Sequence, residues 1–202
     1  VSYLATESVP PVLVVGLPGI GKSALISACV SEVRQEHSGI RVAYIRADAG
    51  CELSGLLRRL ITELAPRQPV SARQDDLIRA TACVLKQTGR EGGCAVFVDG
   101  IDQIEVNTAG REDRLYWLPR HPPPGVRIIL SCTADTPHHK QLIGRDPPAS
   151  CLMLSPLSSD ASDRIARGLL RKSPCLNLRF GDDLLEPLLS KECAGNPLWI
   201  TI

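Results

Sequence analysis

The sequence predicts an α/β fold of three layers, in which helices cover a five-stranded parallel sheet and a small helical subdomain follows. Short apolar, β-rich runs alternate with segments of helical periodicity, which is typical of parallel strands joined by crossover helices. After the fifth run the pattern changes to helices alone. We therefore place an α/β core at residues 1–155 and a helical subdomain, which we expect to be truncated, at residues 156–202.

The predicted strands and helices follow one another in a regular order. The five runs expected as strands are residues 12–15, 41–46, 95–98, 126–130 and 151–154. Leucine and isoleucine recur at helical spacing over residues 53–64, and Pro66 is the stop signal. A further helix is expected from about Arg73 to Thr88, with Gly89 just past its end.

The helical subdomain carries its own start signals. Ser158 or Ser159 can cap a first helix, and residues 182–189 suggest a second. Asn196 and Pro197 are residue types preferred at the N-cap and at the first helical position. These segments are expected to form a small lid after the sheet.

Composition limits the classes of partner. The chain has 202 residues, of which 44% are hydrophobic, and a formal net charge of +1. This balance gives no general attraction to nucleic acid or to an anionic membrane, and no apolar stretch reaches the length of a membrane span. We expect a cytoplasmic segment of a longer protein, with no membrane partner and no direct signal for nucleic acid.

The cysteines and a histidine pair give no metal or disulfide pattern. The eight cysteines are scattered singly, and most lie in apolar runs, so we expect buried thiols of a reduced protein. His138 and His139 have no acids or cysteines at ligand spacing. We expect this pair in a solvent-exposed loop rather than at a metal.

Residues 16–23, GLPGIGKS, match the phosphate-binding pattern G-x-x-x-x-G-K-[ST] at every fixed position. The loop stands between an apolar run and a helix-forming stretch, so the N–H groups of a helix N-terminus would face an anion. Lys22 would place a positive charge at the β and γ phosphates, and the Ser23 hydroxyl can bind Mg²⁺. A degenerate, empty loop is the alternative. The expected nucleotide contacts are Gly16, Gly19, Ile20, Gly21, Lys22, Ser23 and Ala24.

A second phosphate element is expected at the end of the third predicted strand. Asp99 would reach the mouth of the parallel sheet there, where its carboxylate suits Mg²⁺ together with Ser23. The alternative is that Asp99 and Gly100 form only a turn. Hydrolysis also needs a group that orients or deprotonates water. Asp102 is the nearest candidate for this group, and the alternative is that it is a solvated loop acid. Together with Lys22 at the phosphates, Asp102 is an expected catalytic residue.

Taken together, these residues resemble the NACHT-type NTPases of the signal-transducing ATPase (STAND) class of P-loop proteins. The resemblance covers nearly the whole chain and rests on the phosphate loop and on residues 96–102, 117–119, 123–131 and 195–198. The Trp-Leu-Pro segment at residues 117–119 is closest to nephrocystin-like and telomerase-associated proteins.

The resemblance implies a sheet in which the fourth strand lies between the first and the third. It also implies binding of ATP or ADP with Mg²⁺, and a helical domain whose Gly-x-Pro element, here Gly195 and Pro197, packs near the adenine. GTP stays open because no side chain that reads the base is evident. The implied partners are a winged helix and a repeat array of the same longer chain, other proteins and, as an open option, further copies of the chain.

Three departures limit what the resemblance implies. Gln103 stands where many relatives carry an acid, which puts hydrolysis in doubt, and residues 131–133 hold no phosphate-sensing arginine. Only residues 1–11 are available ahead of the first strand to help hold the base, so weak nucleotide affinity is expected. The resemblance thus implies a regulatory switch that hydrolyses ATP slowly to control assembly of a larger signalling protein. Two alternatives stay open. One is an interaction scaffold that never turns over, and the other is a small-molecule phosphotransferase clamped by Arg111, Arg114 and Arg120.

Overall fold

The computed structural model describes residues 8–105, 113–172 and 195–197. By its internal contacts the chain divides into two compact units. The sheet unit consists of Val1–Val15 and Ser23–Leu152, and the loop unit consists of Gly16–Lys22 and Met153–Ile202. The helix expected at residues 182–189 lies outside the described residues.

The secondary structure follows the predicted alternation of strands and helices. In chain order the elements are β1 (Val12–Gly16), α1 (Lys22–Glu36), β2 (Arg41–Arg46), β3 (Cys51–Glu52), α2 (Leu53–Leu64), α3 (Gln74–Arg90), β4 (Cys94–Asp99), a short 3-10 helix (Ile101–Gln103), β5 (Ile104–Glu105), β6 (Val126–Thr133), α4 (Pro137–Ile143), β7 (Ser150–Met153) and α5 (Ser159–Lys172).

Five strands form one parallel sheet in the order β2-β4-β6-β1-β7. The predicted fold class is therefore confirmed, and so is the position of the fourth predicted strand, β6, between β1 and β4. β4 lies inside the sheet and is buried at every position, which explains its nearly continuous apolar sequence. β3 and β5 form a separate two-stranded parallel pair that the sequence patterns did not predict.

The helix α2 confirms the pattern of leucine and isoleucine. Its buried side chains recur at helical spacing, and they are Leu53, Leu56, Leu57, Leu60, Ile61 and Leu64. These side chains belong to the same buried cluster as the apolar residues of β2, β4 and β6. Burying each of them stabilises the fold by about 1.5–3 kcal/mol, so this face anchors the helix on the sheet.

The predicted end of α3 is wrong. The helix continues to Arg90, so Gly89 lies in its last turn and not beyond it. A Cβ on Gly89 would collide with the carbonyl oxygen of Pro124, in the turn that leads into β6. The glycine is therefore required by the close approach of two backbones rather than by a helix cap.

Two further expectations are corrected by burial. His138 and His139 lie on α4, where they are 5% and 8% exposed, because the short helix turns them toward the protein and not toward solvent. Of the six described cysteines, all are free thiols, but only Cys94 and Cys132 are buried. The others lie at partly or fully exposed positions, including Cys83 on the outer face of α3.

Among the described residues, no helix combines the length and the hydrophobicity needed to cross a bilayer.

Candidate nucleotide-binding site

The phosphate loop of the loop unit has the backbone that its glycines predict. Gly19 and Gly21 adopt φ values of 77° and 99°, in the left-handed region that L side chains rarely enter. A Cβ on Gly16 would lie 2.7 Å from Cγ2 of Ile20 and 3.3 Å from Cβ of Leu154. Gly19 and Gly21 are therefore needed for the left-handed turns of the loop, and Gly16 for close packing against Ile20 and Leu154.

Several loop amides point to anion binding. The N–H of Ile20 donates to the carbonyl oxygen of Leu17 at 3.3 Å, whereas within the described part of the chain the amides of Gly19 and Gly21 have no protein acceptor. α1 begins at Lys22, so the amides of its first turn are also without partners inside the helix. This set of donors fits a phosphate group.

The Lys22 side chain folds back over its own loop. Its Nζ donates to the carbonyl oxygens of Gly16 at 2.9 Å and Leu17 at 3.0 Å. These two bonds hold the ammonium group beside the first loop residues, and a compact ammonium there suits the negative charge of a polyphosphate.

Residues 195–197 pack on the same loop. Nδ2 of Asn196 donates to the carbonyl oxygen of Pro18 at 3.1 Å, and Cγ of Pro197 lies 3.7 Å from the position that a Cβ on Gly21 would take. The segment is held in turn by the N–H of Leu157, which donates to the carbonyl oxygen of Gly195 at 2.7 Å. The Gly-x-Pro element thus contacts the phosphate loop directly.

Asp99 lies in the sheet unit, at the carboxyl end of β4, and is only 3% exposed. The Ser131 hydroxyl donates to its Oδ1 at 2.5 Å, while the N–H of Gly100 donates to the Ser131 Oγ at 2.9 Å. Gly100 has a φ of 80°, so the turn that stood as the alternative is present as well. The turn and the buried carboxylate are parts of one arrangement.

Asp102 lies in the 3-10 helix that follows β4 and is partly exposed. Nε2 of Gln103 donates to its Oδ2 at 3.3 Å. Burial, and after it the charge of Arg114, lowers the pKa of His138 on α4, and the Asp102 carboxylate partly opposes this shift. Asp102 is therefore not an isolated loop acid, because it has a neighbouring amide and a nearby imidazole.

Residues 7–136 match the sequence profile of the AAA domain family, which is more than half of the chain. The chain belongs to the AAA domain family. No curated protein matches this AAA domain in sequence.

Solved structures agree with the family at the level of the fold. Drosophila ORC bound to DNA is 18% identical, with a TM-score of 0.57 over 93% of this chain and 52% of that chain. Cdc6p from Pyrobaculum aerophilum is 15% identical, with a TM-score of 0.59 over 86% and 46%. AMPPCP-bound DnaA from Aquifex aeolicus is 17% identical, with a TM-score of 0.52 over 95% and 52%. This AAA domain therefore spans about half the length of these chains, and the likeness shows the fold alone.

The remaining predicted site residues of the AAA domain lie at the start of α1. Ser23 and Ala24 are exposed in its first turn, where both the Ser23 hydroxyl and the turn's amides can reach a ligand. Sequence reasoning missed Ser131 and the contact of Asn196 with the loop. Aligning the apolar runs as neighbouring strands could have indicated the Ser131 contact, since Ser131 then stands opposite Asp99. No local pattern indicates the contact of Asn196 with the loop.

The buried His138 should make the stability of the AAA domain depend on pH. Its pKa is lowered from the ordinary 6.5, first by burial, and its Nε2 is buried without a hydrogen-bond partner among the described residues. Because the unfolded chain then binds the proton at higher pH than the folded one, stability falls as the pH drops through about 6.5 toward the lowered pKa. We expect the melting temperature of His138→Gln to fall less than that of wild type when the pH is lowered from about 7.5 to about 5.5. An equal or steeper loss in the variant would contradict this assignment.

Proposed function

We propose that this AAA domain is a nucleotide-binding switch module, closest to the NACHT type of the STAND class, that binds ATP or ADP with Mg²⁺. The observation that carries the proposal is the loop unit itself. Left-handed glycines, amides that have no acceptor among the described residues and a folded-back lysine support a phosphate cradle, and the Gly-x-Pro element packs on this loop. A nucleotide that bridges the cradle and this element would couple phosphate binding to the segment beyond the sheet.

The proposed roles follow from chemistry that the residues offer. The loop amides and Lys22 would hold the phosphates, and Pro197 would stand beside the base. Ser23 and Asp99 would hold Mg²⁺, which supplies charge neutralisation at the β and γ phosphates when bound. Asp102 would orient the attacking water. We also propose that the helical subdomain begins near residue 156, with α5 as its first helix.

Slow hydrolysis is the more demanding part of the proposal. A general base or water-orienting group typically contributes about 10²- to 10⁴-fold to a rate. We therefore expect Asp102→Asn to lower ATP-dependent phosphate release by about 100-fold or more while the melting shift with Mg-ATP stays as in wild type. Glu105→Gln, at an exposed acid of β5, is the matched control and should release phosphate normally.

The same assay separates the switch from an interaction scaffold. Gln103 favours the scaffold, since its amide occupies the position of a second acid and binds Asp102 instead. If saturating ATP shifts the melting temperature but wild type releases phosphate only at the background rate, the scaffold is the correct function. No specific observation favours a phosphotransferase: Arg111 lies outside the described residues, and Arg120 is exposed.

We propose protein partners rather than DNA for this segment, within a longer cytoplasmic protein that can oligomerise. DNA is present in the structures of Drosophila ORC and of the Aeropyrum pernix Orc1 protein. The net charge of +1 gives this segment no general attraction for the DNA backbone. Binding of a labelled duplex at physiological salt would overturn this choice of partner.

A further inference from the structure

Asp99 and Ser131 are brought together by the register of two central strands. β4 and β6 are adjacent and parallel, and Val98 pairs with Leu130, so the next residue of each strand stands beside the other. Asp99 is 3% exposed and Ser131 is fully buried. A buried carboxylate needs hydrogen-bond donors, and the strand register supplies one from a neighbouring strand.

The hydrogen bonds around the Ser131 hydroxyl determine its direction. The N–H of Gly100 can only donate, so the Ser131 Oγ accepts that bond at 2.9 Å. The single hydroxyl proton is then directed to Oδ1 of Asp99 at 2.5 Å. The backbone of Asp99 is held as well, because its carbonyl oxygen accepts from the N–H of Ala47 at 2.8 Å.

The two carboxylate oxygens of Asp99 are therefore not equivalent. Oδ1 is bound to Ser131, whereas no group among the described residues donates to Oδ2. A carboxylate with one oxygen held by a buried hydroxyl has a set orientation, and its other oxygen stays available as a ligand. A hard cation such as Mg²⁺ takes oxygen ligands of this kind.

We propose that Ser131 is a positioning residue for Mg²⁺: it holds Oδ1 of Asp99 and so leaves Oδ2 available to the ion that Ser23 and Asp99 would hold. The inference rests on the proposed nucleotide site and adds to it a fully buried serine. Partners that orient a metal ligand change metal affinity by about 10- to 100-fold when they are removed. A merely structural serine would change stability and leave the metal affinity of the folded protein unchanged.

The test measures metal binding and nucleotide binding separately. Mn²⁺, as a spectroscopic substitute for Mg²⁺, is titrated into the ADP-bound protein and followed by electron paramagnetic resonance, and ADP affinity is measured in EDTA. We expect Ser131→Ala to weaken Mn²⁺ binding by about 10- to 100-fold, with ADP affinity in EDTA unchanged. Ser131→Thr, which keeps the hydroxyl, should restore most of the metal affinity. Ser31→Ala, at an exposed serine of α1, should behave as wild type.

Each outcome supports or overturns the assignment. Unchanged Mn²⁺ affinity in Ser131→Ala, with ADP still bound, overturns the role of Ser131 alone. Failure of wild type to bind ADP with or without metal overturns the nucleotide site, and the role of Ser131 with it. If Ser131→Ala does not fold, Ser131→Cys is used instead, because a thiol is a weaker donor of somewhat larger volume. Its Mn²⁺ affinity should lie between those of wild type and of Asp99→Asn, which lacks the carboxylate.

Discussion

Lys22→Ala should abolish the thermal stabilisation that Mg-ATP or Mg-ADP gives to the wild-type protein. A ligand at a hundred times its dissociation constant stabilises the folded state by about 2.7 kcal/mol. For a domain of this size that corresponds to a rise in melting temperature of roughly 5–11 °C. The ammonium group is the only side-chain cation of the phosphate loop, and it is held at 2.9 Å from the Gly16 carbonyl oxygen, beside the helix N-terminus. Without the ammonium group, only the loop amides remain to balance the negative charge of a polyphosphate.

The measurement is differential scanning fluorimetry of wild type and variant, with and without millimolar Mg-nucleotide. Lys86→Ala is the matched control, because Lys86 is an exposed lysine on α3 and its loss removes the same charge from the protein. The control should keep the full shift. A shift in Lys22→Ala equal to that of wild type would show that nucleotide binds elsewhere, and no shift in wild type would refute nucleotide binding by this segment.

Two glycines inside helices should respond to alanine with opposite signs. In Gly89→Ala the new Cβ would press on the Pro124 carbonyl oxygen, and the turn that carries it also pairs with β4 through the Gly125 carbonyl oxygen and the N–H of Cys94. Such overpacking costs about 1–3 kcal/mol. In Gly55→Ala nothing lies within 4 Å of the new Cβ, and the gain in helix propensity is about 0.8–1 kcal/mol.

Urea unfolding at constant pH checks both signs, since the midpoint moves with stability while the slope stays the same. Gly55→Ala serves as the matched control for Gly89→Ala, because both changes add one methyl group to a helix. Stabilisation by Gly89→Ala would mean that the helix and the Pro124 turn can separate at little cost. The close packing of α3 on the turn before β6 would then be wrong.

The sequence predicted the elements whose signals are local. The phosphate loop is eight consecutive residues, and its glycines need left-handed backbone whatever surrounds them. The run of leucines in α2 and the apolar run of β4 report burial through their period alone. The order of the strands in the sheet, by contrast, was implied by the family resemblance and not by any pattern in the residues.

The residues whose roles were predicted wrongly, or not predicted, are those whose decisive contact lies far away in the chain. The neighbouring residues in the sequence favour a helix cap at Gly89, but the close approach of the Pro124 carbonyl oxygen is what requires a glycine there. The expectation of exposed histidines failed because α4 is too short to show a period, so only packing reveals that His138 is buried. Asn196 has the residue type of a cap, yet its side chain reaches Pro18.

By itself, then, the sequence determined the α/β class, most of the elements and the phosphate loop, because each depends on a few neighbouring residues and on their period. The tertiary structure alone decided which oxygen of Asp99 stays available, where Asn196 and Pro197 pack, and why Gly89 must lack a side chain. These features depend on strand register and on the approach of backbones that are distant in the chain. Both follow from the packing of the whole core and leave no short pattern in the residues that they bring together.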